Sequence, residues 1–222
     1  GKTTVIIQRI RRLTEKMGVS PYRILVITFT KAAAEQMKTR YAALQGKSGV
    51  MFGTFHSIFF RILRQACGYS LEQVLSEDER RNTLQKLVTE ARISVQDQEE
   101  YIQQFFSQYS LMKNQLLDVS DFMPDGLPKD EFVALTKKFD GWKRRNEKID
   151  FDDMLTECYD VLSQDEKVRK AWQDRFDYIL VDEFQDVNRA QYACLQMLAA
   201  PKNNLFVVGD DDQSIYGFRG AS

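Results

Sequence analysis

Tyr178-Ile179-Leu180-Val181-Asp182-Glu183 runs four apolar residues, without a polar break, into two carboxylates. A continuous apolar run of this length predicts a strand covered on both faces, as in a parallel sheet, whereas alternation would mark a half-exposed one. Two similar runs, Ile24-Leu25-Val26-Ile27 and Leu205-Phe206-Val207-Val208, lie far away in the chain, and Val50 to Gly53 reads as a further short strand. Helical spacing fills the intervals. Ile6, Ile10, Leu13 and Met17 fall at steps of four, three and four before Gly18, and a helix is expected from about Lys31 to Leu44. Phe55, Ile58, Phe59, Ile62 and Leu63 form another stripe behind Thr54, a suitable cap.

From Gly68 to about Lys148 the strand signals vanish. Ser76-Glu77-Asp78-Glu79 reads as a capping box opening a helix with Leu84, Leu87, Val88 and Ala91, and Pro124-Asp125-Gly126-Leu127-Pro128 is the obvious loop. Helices resume at Ile149 and continue to about Arg175. Strand–helix alternation at both ends around an all-helical middle predicts an α/β fold with a parallel sheet, built from residues 1–68 and 149–222 and interrupted by a helical insertion over 69–148.

The 222 residues are 43% hydrophobic and 28% charged, which suits a packed core and excludes disordered, collagenous and mucin-like classes. No apolar run approaches the roughly 18 to 20 residues of a membrane helix, so a soluble, cytoplasmic protein is expected. Cys67, Cys158 and Cys194 are too scattered for a disulfide framework or a zinc site, and a single histidine leaves little scope for a His-rich metal centre. Charge is uneven. Residues 1–70 hold 12 Lys/Arg and 2 Asp/Glu, net +10, while residues 71–222 hold 19 and 30, net -11. The basic third either meets a polyanion or faces the acidic remainder.

Three places carry candidate chemistry. Gly1-Lys2-Thr3-Thr4 opens a helix, where free N–H groups favour phosphate; Lys2 would neutralise terminal phosphates and the Thr3 hydroxyl would ligate Mg2+. The strand and first loop positions of a full phosphate-cradling motif do not precede it, so the chain is expected to be a piece of a longer protein. Asp182 and Glu183 end a strand where α/β sheets bind ligands, the first suited to Mg2+ and the second to orienting and deprotonating water; a solvated strand end is the plainer alternative. Gly209-Asp210-Asp211-Asp212-Gln213-Ser214-Ile215-Tyr216-Gly217-Phe218-Arg219-Gly220 offers Gln213 to sense a terminal phosphate, with Tyr216, Phe218 and Arg219 to stack on bases and bind phosphate. The same aromatic-plus-polar logic applies to Phe29 with Lys31 and to Thr54-Phe55-His56-Ser57. His56, as the sole histidine, reads first as a structural hydrogen-bonder.

In order and spacing, Gly1-Lys2-Thr3, Thr28-Phe29-Thr30-Lys31-Ala32-Ala33, Gly53-Thr54-Phe55-His56-Ser57, Phe151-Asp152-Asp153-Met154-Leu155, Val181-Asp182-Glu183-Phe184-Gln185-Asp186 and the stretch 209–220 resemble the motifs of the UvrD/Rep family of superfamily 1 DNA helicases. The resemblance spans the whole chain and implies a RecA-like P-loop domain with a helical accessory insertion, the N-terminal portion of a helicase that uses ATP and Mg2+. By that resemblance Gly1, Lys2, Thr3, Thr4 and Gln213 meet the nucleotide, Thr3 and Asp182 serve Mg2+, and Glu183 is the catalytic base. Gln213 also links nucleotide to DNA, and Phe29, Lys31, Thr54, His56, Tyr216, Phe218 and Arg219 contact the single strand.

Phe218 stands where the family usually has Trp, and no Asn precedes Lys31. The front of the phosphate loop and the second motor domain, with its phosphate-sensing arginines, are expected elsewhere in the parent. The 222 residues alone are therefore expected to be nearly inactive. The resemblance further implies a parent that travels 3′ to 5′ on single-stranded DNA, opening duplex junctions in repair or replication. The rivals are the helicase subunit of a helicase–nuclease, a non-hydrolysing binding module on the same fold, and a nucleoside-triphosphate hydrolase acting on protein or RNA.

Overall fold

A computed structural model of the chain describes residues 1–46 and 49–210. Four strands, β1 (Ile24–Thr28), β2 (Met51–Thr54), β3 (Tyr178–Val181) and β4 (Leu205–Val207), form one sheet in the order β2-β1-β3-β4. Every pairing is parallel, with Val26 between Phe52 and Leu180, and Ile27 between Gly53 and Val181. The expected run Val50–Gly53 is shifted by one residue, and β4 stops at Val207.

The continuous apolar runs are explained by what covers them. Leu25, Ile27, Ile179 and Val181 point to one face, where they join buried residues of α3 (Phe55–Cys67), α7 (Phe151–Gln164) and α9 (Arg189–Ala199). Ile24, Val26 and Leu180 point to the other, against Ile6, Ile7 and Ile10 of α1 (Lys2–Arg11) and Met37 and Tyr41 of α2 (Lys31–Gln45). Strand side chains alternate faces, so both alternating sets are buried and no polar residue interrupts either. All five residues of β1 are buried; each large aliphatic side chain so covered contributes about 1.5–3 kcal/mol.

Met17 departs from its expected place on the α1 stripe and is 55% exposed. The helix widens into a π turn at Arg12–Lys16, with the Met17 N–H donating to the Arg12 carbonyl. The wider turn rotates Met17 off the buried face before Gly18, at φ +68°, ends the run.

Between β2 and β3 the chain runs through α3, α4 (Glu77–Glu90), α5 (Gln98–Asn114), α6 (Lys129–Arg145), α7 and α8 (Glu166–Arg175). Helices α4, α5 and α6 share their own apolar cluster around Leu84, Phe105, Tyr109, Phe132 and Phe139. Chain entry and exit lie side by side: Leu75 N–H donates to the Ile149 carbonyl at 2.8 Å, and Ile149 N–H to the Gln73 carbonyl at 2.8 Å. Ser76 and Asp150 open α4 and α7 with capping boxes, closed reciprocally by Glu79 and Asp153.

A buried ionic cluster joins these helices to α7. Lys143, 3% exposed, lies 2.7 Å from Asp153, 3.2 Å from Asp150 and 3.4 Å from Asp140. Arg80 reaches Asp152 at 2.7 Å, and the Ser110 hydroxyl donates to the same carboxylate at 2.7 Å.

β1 has β2 on one side and β3 on the other, so the order of strands reverses there. In open parallel sheets such a reversal leaves a crevice beyond the carboxyl ends of the strands. Thr28 and Val181 end β1 and β3 at that edge, and the Asp182 N–H continues the ladder by donating to the Ile27 carbonyl at 3.0 Å.

Candidate functional site

Beyond that edge Lys2, in the first turn of α1, meets the acids that follow β3 and β4. Its Nζ lies 2.8 Å from an Asp210 carboxylate oxygen and 3.6 Å from one of Glu183. The Asp210 hydrogen bond, opposed by desolvation and helped by Glu183, raises the Lys2 pKa. About a third of the Lys2 side chain remains exposed, and Glu183 and Asp210 are more open still, at 40% and 54%. These partners are therefore exchangeable. The α1 N-terminus has no side-chain cap and no acid in its first turn, so its N–H groups are not claimed by a carboxylate.

Asp182 is held differently. It is 7% exposed, and one of its oxygens accepts the Glu183 N–H at 2.9 Å. Burial pushes its pKa up, against that hydrogen bond. Glu183 takes a left-handed backbone conformation, φ +55° and ψ +43°, which is uncommon for a residue with a side chain. Its carboxylate accepts a hydrogen bond from the Gln185 amide, whose oxygen accepts the Asp210 N–H at 3.2 Å.

A divalent cation fits here. The second Asp182 oxygen and the Thr3 hydroxyl make no hydrogen bond among the described residues, and both are the hard oxygen donors Mg2+ prefers. No group of three or more His, Cys, Asp or Glu suited to a metal occurs among the described residues. Mg2+ is commonly held through one or two protein oxygens, water and substrate phosphates. The hydroxyl of Thr4, expected beside Thr3 at the nucleotide, accepts a hydrogen bond from Arg40 at 2.9 Å.

The expected strand-contacting residues divide. Thr28 of β1 and Thr54 of β2 are register partners, so Phe29 and the residues after Thr54 leave the sheet along the same edge. Phe29 is half-buried, its ring 5.1 Å from that of Phe55. Lys31 is exposed in the first turn of α2, whose cap is the Thr30 hydroxyl. Thr54 closes a capping box with Ser57 at the start of α3.

His56 shares a hydrogen bond with the Phe151 backbone, and burial lowers its pKa. Its ring lies 5.0 Å edge-on to that of Phe151, which is 47% exposed. The two rings line an open, largely apolar hollow of about 420 Å³ with Phe60, Leu71 and Met154. Gln213, Tyr216, Phe218 and Arg219 lie outside the described residues.

Sequence reasoning did not single out Asp210, Gln185 or Arg40 as site residues, although the first two stood inside the quoted motifs. Arg40 carries no local signal, because its partner Thr4 is 36 positions away.

Comparison with known proteins gives the same location in sequence space throughout. The UvrD/REP helicase N-terminal domain matches residues 1–222. YjcD of Bacillus subtilis (strain 168) is 36% identical over the whole chain, which covers 30% of that protein. ATP-dependent DNA helicase PcrA of Staphylococcus aureus (strain Mu50 / ATCC 700699) and that of Staphylococcus epidermidis (strain RP62A) are each 36% identical, with 31% of their length covered. The chain thus spans about a third of these curated relatives. No described helix is long and apolar enough to cross a membrane.

Proposed function

The chain belongs to the UvrD/REP helicase N-terminal domain family, and we propose that it is the nucleotide-handling portion of an ATP-dependent DNA helicase or translocase that tracks single-stranded DNA. The observation that carries this reading is the convergence of Lys2, at an uncapped helix N-terminus, on Glu183 and Asp210 beyond the strand ends. In this reading residues 1–68 and 149–222 form the motor domain and 69–148 an accessory insertion. The parent travels 3′ to 5′ and works at duplex junctions in repair or replication, with a second RecA-like domain completing the site.

An incoming triphosphate takes Lys2 from Asp210 and frees Glu183. The attacking water then forms its bond to the terminal phosphorus, the bond to the bridging oxygen breaks, and Glu183 accepts the proton. Thr3 and Asp182 would hold Mg2+, which when bound spreads the charge on the phosphates. Gly1 and the N–H groups of the first α1 turn support the phosphates, and Gln213 senses the terminal one. Hydrolysis also needs cations facing the transition state from the second domain, so the isolated 222 residues turn over slowly at most.

On the DNA side, Phe29, Thr54 and His56 line the edge, joined by Phe151 and by Lys31 as a phosphate contact. Tyr216, Phe218 and Arg219 extend the track. Base stacking on such rings is sequence-tolerant and contributes about 1–3 kcal/mol per base. The test is ATP hydrolysis by the full-length parent with and without single-stranded DNA, beside Glu183→Gln. Stimulation by DNA that disappears in the variant supports the motor; hydrolysis indifferent to DNA overturns it. Displacement of strands from substrates tailed at either end then fixes direction.

A further inference from the structure

We propose that Gln185 is a positioning residue, holding the Glu183 carboxylate in register with the chain that leaves β4. The inference rests on the reading of Glu183 as the base that accepts the proton of the attacking water.

Gln185 sits in the 3-10 turn Phe184–Asp186 and is 9% exposed. Its amide nitrogen donates to the Glu183 carboxylate, while its amide oxygen accepts the Asp210 N–H at 3.2 Å. The Asp210 carboxylate lies 2.8 Å from Lys2, which reaches back to Glu183 at 3.6 Å. The four residues close a ring in which Gln185 is the uncharged link.

The turn is pinned beside β4 by its backbone, the Phe184 N–H donating to the Val208 carbonyl at 2.9 Å. A Cβ at Gly209 would stand 2.6 Å from the Gln185 amide oxygen and 3.2 Å from its backbone nitrogen. Gly209 therefore leaves the space that the amide occupies. Among uncharged side chains of this reach, glutamine offers both a donor and an acceptor. Glutamate keeps only the acceptor, methionine keeps the length without either, and asparagine is one methylene short.

Removing the donor leaves the Glu183 carboxylate without the side chain that orients it. In the full-length parent, Gln185→Met and Gln185→Glu are expected to lower kcat about 10- to 100-fold through misplacement of the base. KM for ATP should change much less in both. Gly209→Ala, which displaces the amide without altering it, should give a smaller change in the same direction.

If Glu183→Gln is inactive while the Gln185 and Gly209 variants keep the parental kcat, the positioning role is overturned. A kcat loss accompanied by an equal rise in KM for ATP and a lowered melting temperature in every variant also overturns it, by making Gln185 merely structural. If Glu183→Gln itself retains full DNA-stimulated turnover, the failure belongs to the assignment of the base.

Discussion

Two of the Lys–carboxylate constellations among the described residues are opposites. At the sheet edge Lys2 meets Glu183 and Asp210 with all three side chains a third or more exposed. Behind α7, Lys143 meets Asp140, Asp150 and Asp153 with its own side chain 3% exposed, and Arg80 meets Asp152. In water an ion pair is worth little and exchanges freely, whereas burial makes each charge depend on its partners. In the proposed function the open set is handed over to a ligand. The buried set is built never to be opened, and it fixes α4, α5 and α6 against the helix that carries Phe151.

The sharpest way to break the comparison is to interchange loss of activity with loss of stability. Glu183→Gln is expected to lower DNA-stimulated ATP hydrolysis by the parent about 10²- to 10⁴-fold, with an unchanged melting temperature. Lys143→Met should do the reverse at the level of folding. It leaves Asp150 and Asp153 short of a buried counter-charge and should cost about 3–5 kcal/mol in urea unfolding. Lys2→Met, at the open site, should abolish hydrolysis while changing stability by less than about 1 kcal/mol. If Lys2→Met proves the more destabilising of the two, the contrast fails.

A subtler test uses pH. Burial, with Asp150 beside it and only partly offset by Lys143 and Lys113, pushes the Asp153 pKa up to about 7. A carboxyl whose pKa is raised in the folded state binds its proton more tightly there. Its contribution to stability is complete below the unfolded value near 4 and is lost as pH rises toward 7. His56, with its pKa lowered, works the other way as pH falls below about 6.5. The difference between parent and Asp153→Asn in urea midpoint, measured from pH 4.5 to 8, should therefore change across this window. A constant offset would show that Asp153 titrates as an ordinary surface acid. The smallest effect expected is at the α3 cap, where Thr54→Ala removes one side of a capping box and should cost about 1 kcal/mol.

What the sequence makes legible follows the same division. Strands, caps and the apolar faces of α3 and α4 are local patterns, so Ile24–Ile27, Thr54 and Ser76–Glu79 announce themselves within a few residues. The open site is legible for a related reason: its parts are helix and strand ends, where Lys2, Asp182 and Glu183 interrupt regular patterns. The buried cluster is not. Arg80 and Asp152 are 72 positions apart, and a lysine or aspartate read alone belongs on a solvated face. Only packing turns Asp150, Asp152 and Asp153 inward, where capping α7 and compensating cations share the same side chains. Met17 leaves its expected face for a smaller cause, a widened turn, which leaves no mark in composition.

The paired backbone at Gln73, Leu75 and Ile149 has a consequence for how such a chain can diversify. Because the excursion through α4, α5 and α6 leaves and returns through adjacent positions, a segment of another length can be grafted there without changing the register between β1 and β3. The graft carries one obligation: a replacement must bring cations for Asp150, Asp152 and Asp153, or those aspartates must be exchanged along with it. Substitution at this seam is thus open in length and closed in charge.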